Sequence, residues 1–208
     1  MNAPKLLMRY LLIGVAAIIV LAPQAAASQG PPDASTLNPP PFPFMSCKRV
    51  GTGTNCDGER TIHEDNVDTG ITCGSGPTAF NPVDQSFADE RFSFTYDGAG
   101  DLTRVTVHTR WYSAQWINLE SGTTLPYTQE DNFDFALAVP GDFGSATEIH
   151  TGQSRFKPSD GPPIFITAGR TVTAPDGTVE FRAGPQSFLD LFVDGDTSVL
   201  EPLCAALQ

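Results

Sequence analysis

Between Leu102 and Tyr112 the chain alternates with a period of two. Val105, Val107, Thr109 and Trp111 fall on one side of an extended backbone, and Thr106, His108, Arg110 and Tyr112 fall on the other. Alternation rich in β-branched and aromatic residues predicts a central strand of an antiparallel sheet. The same pattern recurs upstream in Phe92, Phe94 and Tyr96, and downstream in Phe133, Phe135, Leu137 and Val139. Asp97–Asp101 supplies a glycine-rich reversal between the first two strands, and Pro140-Gly141-Asp142 turns the chain toward a strand over Ala146–Thr151. Pro175-Asp176-Gly177 predicts a tight hairpin turn between Ile164–Ala174 and Val179–Ala183, and Gly169 within the longer partner reads as a bulge.

The weaker segments follow from the same pattern. Short edge strands are expected near Arg60–Glu64 and Gly70–Cys73, and a loop over Gly74–Glu90 carries Phe80 and Phe87. Trp116, Ile117 and Leu119 suggest a further short strand, and Tyr127 is placed in a loop. Only the last residues change period. Val199, Leu200, Leu203, Cys204 and Leu207 form a helical stripe, with Ser198 to Glu201 at capping-box spacing and Pro202 in the first turn. So short a helix is unstable alone and must pack on the sheet. The expected fold is mostly β: an antiparallel meander of eight to ten strands, forming a barrel or a two-layer sandwich, with a short C-terminal helix.

Three segments divide the chain. Residues 1–27 read as a signal peptide, with Lys5 and Arg9, the apolar run Leu11–Ala22, Pro23 and the small residues Ala25-Ala26-Ala27. The apolar run is too short for a comfortable membrane span, so no membrane insertion is expected once it is cleaved. Residues 28–46 are proline-rich and read as a flexible leader, with Phe42, Phe44 and Met45 able to pin it to the domain edge. Residues 47–208 form a single β domain. A secreted, extracellular or cell-wall-associated protein is the expectation.

Charge and cysteines narrow the class. The chain has 12 basic and 24 acidic residues. Loss of the two basic residues in 1–27 leaves a net charge of −14. Nucleic acid is excluded as a partner, because phosphate binding needs a concentrated basic patch. Cys47, Cys56, Cys73 and Cys204 make an even count in an exported chain, which reads as two disulfides with three connectivities open. The pairing Cys47–Cys56 with Cys73–Cys204 is favoured, as one local clip and one tie for the C-terminal segment. Spacings of 9, 17 and 131 residues do not suit a zinc site.

Candidate chemistry is sparse. His63, His108 and His150 occupy polar alternating positions and read as solvated strand residues. No Gly-x-Ser-x-Gly is present. Glu130, Asp131, Asp134, Asp97 and Asp101 are the candidates for a carboxylate pair of an extracellular hydrolase. Asp190, Asp194 and Asp196 offer a candidate calcium site, without the full EF-hand loop. Tyr112, Trp116 and Tyr127 are the candidate ligand-binding rings. The leading expectation is a non-enzymatic binding module for a small apolar ligand, a glycan or a surface protein. A hydrolase and a structural envelope protein are the alternatives.

Thr69–Cys73, Asn118–Gly122 with Leu125–Thr128, Gly169–Val172, Pro175–Phe181, Ala183–Pro185 and Leu203–Leu207 together resemble exported actinobacterial proteins of unknown function. The resemblance covers most of residues 47–208 and departs from the common pattern around Phe188–Asp196. It implies a cysteine-bearing β fold and assigns no catalytic residue.

Overall fold

In the computed structural model, which describes residues 32–186, 191, 195 and 197–208, eight strands form one antiparallel sheet in sequence order. They are β1 (Ser46–Val50), β2 (Gly53–Asp68), β3 (Val83–Tyr96), β4 (Leu102–Ile117), β5 (Thr124–Leu137), β6 (Ala146–Phe156), β7 (Phe165–Thr173) and β8 (Val179–Ala183). The meander, the mostly-β class and a closing helix are as the alternation predicts. Each strand pairs with its chain neighbours, and β1 and β8 are the two edges.

Several strands are longer than their apolar pattern suggests. The strand expected near Arg60–Glu64 is the middle of the sixteen-residue β2, and the expected strand at Gly70–Cys73 is only a bridge from Cys73 to Phe80. Pairing across β3 extends β2 where its own residues are polar on both sides. Phe87 lies inside β3, and Tyr127 inside β5, so neither sits in a loop. Trp116 belongs to β4 itself. Two residues, Tyr112 and Ser113, form a bulge against β5 between Trp111 and Ala114, and Ser113 takes a positive φ of 48°. Trp111, Ala114 and Trp116 thereby stay on one face.

The β7 reading also needs correction. Gly169 pairs regularly with Gly152, and the irregularity lies between Val172 and Thr173. Glycine is required at 169 for space, since an added Cβ would lie 2.1 Å from the Ala183 carbonyl oxygen. The Pro175–Gly177 turn forms as expected, with Gly177 at φ 86° and its N–H donating to Ala174 O.

One face of the sheet is apolar and is covered from two ends. At one end Leu37, Phe42 and Met45 pack with Cys56, Phe92, Phe94, Tyr96, Leu102, Val105, Val107 and Phe135. Residues 33–45, read from sequence as flexible, thus form a strap. Asn38 exchanges backbone hydrogen bonds with Gly100 and Leu102, and the Tyr96 hydroxyl donates to Pro39 O at 2.9 Å. Gly58 makes room for it, because a Cβ there would lie 2.7 Å from Met45 Cγ.

At the other end the C-terminal segment covers Ile71, Phe80, Trp116, Leu125, Tyr127, Phe156 and Phe165. A 3-10 turn at Thr197–Leu200 leads into α1 (Glu201–Leu207), with Leu203 and Leu207 fully buried. The helix cap lies at Leu200, two residues beyond the Ser198 expected to cap it. The Leu200 side chain makes no capping hydrogen bond, and Pro202 enters at a position whose N–H has no intrahelical partner anyway. Asn118 Nδ2 donates to Leu207 O at 3.1 Å, satisfying the helix end.

The two disulfides are Cys47–Cys56 and Cys73–Cys204, and no cysteine is free. They differ in reach, with sequence separations of 9 and 131. Loop-closure entropy assigns about 2.5 kcal/mol to the short loop and about 5 kcal/mol to the long one. Replacing Cys73 and Cys204 together by Ser should therefore lower the calorimetric melting temperature well below that of the Cys47/Cys56 double Ser variant.

Candidate functional site

The register generates two kinds of surface. On the outer face, residues directly opposite one another line up across five strands. Asp57, Ser93, Thr106, Asp134 and Ile149 form one row, and Glu59, Arg91, His108, Asn132 and Thr151 form the next. These rows line a half-open groove of about 540 Å³. At a strand spacing of 4.7–4.9 Å the groove is about 19 Å long and runs across the strands.

The two rows carry mostly polar side chains, Ile149 excepted, while Phe92, Val107 and Phe133 also line the groove, and the charges of the rows are held in place. Arg104 grips Asp134 with two hydrogen bonds, Nε to Oδ1 at 2.7 Å and a shorter one from the second guanidinium nitrogen to Oδ2. Arg91 pairs with Glu59 at 3.0 Å. His108 Nε2 lies 2.9 Å from Glu130 Oε1 in the neighbouring row. Ser93, Thr106, Asn132 and Thr151 contribute hydroxyls and a carboxamide, which both donate and accept. Beyond the groove His63, Phe87 and Tyr112 form a cross-strand stack, with His63 and Phe87 centroids 4.3 Å apart.

The covered face has a polar belt between its two apolar clusters. Asp131 is buried, accepts from Gln129 Nε2 at 2.6 Å and contacts His150 Nε2 at 2.9 Å. His150 stacks on Phe133 at 4.4 Å. Glu148, two residues along β6, has its pKa raised by burial, with His150 opposing the rise. Arg60 Nε donates to Glu90 Oε2 at 2.5 Å on the same face. Further along, Tyr127 donates to Asp84 Oδ2 at 2.6 Å. Burial raises the Asp84 pKa, and Tyr127, Ser86 and Trp116 partly oppose it. The Tyr127 hydroxyl is also pushed up, first by burial and then by the Asp84 charge.

The residues expected to carry function are dispersed. Trp116 and Tyr127 are core rings, 4.7 and 4.9 Å from Phe156, because the β4 bulge turns Trp116 inward and strand pairing does the same for Tyr127. Tyr112 alone is on the outer face, at 37% exposure. The hydrolase carboxylates do not gather either. Glu130 and Asp134 lie on the outer face, Asp131 lies on the covered face, and Asp97 and Asp101 hold a turn. Asp190, Asp194 and Asp196 lie outside the described residues. Among the described residues no group of three or more His, Cys, Asp or Glu is arranged to hold a metal ion, and no helix is long and apolar enough to cross a membrane. The groove was legible only as polar alternation, since which polar residues stand opposite one another depends on register. Asp84, Glu64 and Ser86 carried no signal at all in a stretch that reads as loop and weak strand.

Two measurements probe this geometry. Gly152 lies under the Asp131–His150 pair, where a Cβ would fall 2.2 Å from Asp131 Oδ1. Gly152→Ala should cost about 1–3 kcal/mol in denaturant unfolding by displacing a buried hydrogen-bonded carboxylate. For Asp84 the native state keeps a proton at pH values where the unfolded chain has released it. Stability contributed by this group is therefore full below the ordinary carboxylate pKa and declines as pH rises through the raised value. Asp84→Asn should flatten that decline in unfolding free energy measured across pH. Comparison with protein-family models, curated proteins and solved structures yields no match.

Proposed function

We propose that this is an exported, non-enzymatic binding module whose outer-face groove takes a polyhydroxylated ligand, a glycan segment. The observation that carries this reading is the pair of mostly polar cross-strand rows along a half-open groove of about 540 Å³. Pockets of this size suit small ligands and short chain segments. An apolar ligand would leave the hydroxyls and carboxamide of the groove without partners. An extended peptide is favoured at a sheet edge, where backbone N–H and C=O groups are free. Here the groove crosses the middle of the sheet, whose backbone groups pair with neighbouring strands, so recognition falls to side chains. Vicinal hydroxyls meet that demand, because each donates and accepts.

Export is supported by the pattern of residues 1–27 and by two disulfides, which persist in oxidising compartments. The acidic balance argues against a nucleic-acid partner.

The test is an array of neutral oligosaccharides, followed by titration of the best hit into isotope-labelled protein. Amide shifts should centre on Ser93, Thr106, His108 and Asn132. Thr106→Arg, which fills the groove at its central strand, should abolish binding. Asn132→Ala should weaken it by roughly 2- to 10-fold, as expected for loss of neutral hydrogen bonds. No retained glycan, or binding indifferent to both substitutions, would overturn the proposal.

A further inference from the structure

The two groove rows do not stop at β6. Strand pairing carries the first from Ile149 to Val172 on β7 and Phe181 on β8, and the second from Thr151 to Arg170 and Ala183. Across seven strands, at 4.7–4.9 Å spacing, the extended rows are about 29 Å long. Their character changes at this end. Ile149, Val172 and Phe181 are apolar, and Phe181 is 49% exposed. Arg170 is exposed as well, with its guanidinium carbon 6.0 Å from the Phe181 ring centroid. An apolar strip beside a cation thus opens directly off the end of the groove.

Arg170 differs from the other charges of the rows. Asp57 pairs with Lys48 at 3.5 Å, Glu59 with Arg91 and Asp134 with Arg104. His108 contacts Glu130. Among the described residues Arg170 holds no carboxylate, and its guanidinium meets only the Phe181 ring, at the outer limit of cation–π reach. The rows are therefore neutralised pairwise over β2 to β5 and carry one uncompensated positive charge at their β7 end. A guanidinium offers five N–H donors and no acceptor, in a planar fork that matches an oxyanion. A pyranose ring has C–H faces that bury against apolar side chains, and an acidic sugar adds an oxyanion at the rim of that ring. A glycan charged at every residue would meet Asp57, Glu59 and Asp134 along the rest of the groove, in a chain with 24 acidic and 12 basic residues, and be repelled. One anion, placed at the β7 end, satisfies both conditions.

Resting on the reading of the groove as a glycan site, we propose that Arg170, Val172 and Phe181 form an end subsite for a single acidic sugar residue. Its anion, a carboxylate or a sulfate ester, pairs with the Arg170 guanidinium while its C–H face lies against Phe181 and Val172. The neutral remainder of the chain runs along the rows toward β2, which gives the bound glycan one direction.

The probes are cello-, xylo- and β-1,3-gluco-tetrasaccharides, each in neutral form, with one terminal glucuronate and with one terminal 6-sulfate. They are titrated into the full chain and followed by amide chemical shifts. At least one acidic form should bind about 3- to 10-fold tighter than its neutral counterpart, as fits a solvent-exposed charge-assisted pair, with added shifts at Arg170 and Val172. The glucuronate and sulfate arms tell which anion the subsite takes. Arg170→Gln, at an exposed position, should erase that gain and leave neutral binding within about twofold. Phe181→Ser should weaken the acidic form, and raising the salt concentration should shrink its advantage. Neutral tetrasaccharides that bind in the groove while neither acidic form gains would sink the subsite and leave the groove reading standing. An acidic gain that survives Arg170→Gln would do the same. Failure of every probe, neutral and acidic, overturns both.

Discussion

A single sheet with one apolar face cannot stand in water, and covering that face is the constraint on which this structure depends. The central strands β3, β4 and β5 run fourteen to sixteen residues, longer than one short element can shield. The chain meets this with two covers drawn from its ends. The strap of residues 33–45 seals one cluster, and α1 with its preceding turn seals the other. Neither cover is stable alone. A seven-residue helix does not form in water, and the strap's internal hydrogen bonds amount to local turns at Asp33–Leu37 and Phe42–Met45. Each is held by specific seats: Gly58 and the Asn38 backbone pairs for the strap, Cys73 and Asn118 for the helix.

The gap between the covers explains the polar belt. Where neither cover reaches, the covered face carries Arg60, Glu90, Thr109, Asp131 and His150 in place of apolar side chains. Arg60 pairs with Glu90 and His150 with Asp131, which also accepts from Gln129, as half-buried polar groups must. Asp84 follows the same rule, its carboxyl hydrogen-bonded by Tyr127, Ser86 and Trp116. The outer face has no cover and no apolar demand, so its side chains are free to be polar, and the register sorts them into rows.

The central strands were readable because their alternation is strict and one face is aromatic, as in Phe92, Phe94 and Tyr96 or Phe133 and Phe135. The disulfide pairing was readable as a preference, since Cys47 and Cys56 flank a hairpin-sized segment. β2 was less legible. Arg60, Glu64 and Asp65 are charged on both faces, and only pairing with β3 makes them a strand. Trp116 and Tyr127 misled for a related reason. A two-residue bulge at Tyr112–Ser113 resets the phase of β4, and no local composition announces it. The proline-rich segment read as flexible because its seating on the sheet lies in tertiary contacts, such as Phe42 against Phe92 and Phe94.

By itself the sequence determined the class of the molecule: antiparallel strands from period-two alternation, hairpin turns from glycine placement, a helical end from a change of period, and an acidic surface. Those features are encoded within a few residues of one another and need no distant partner. The tertiary structure decided which faces meet, which rings are core, and which polar side chains share a groove. Cross-strand neighbours such as Ser93, Thr106 and Asp134, or Glu64 and Ser86, are far apart in the chain, and their adjacency is set by register and bulges. A shift of one residue would send every one of them to the other face.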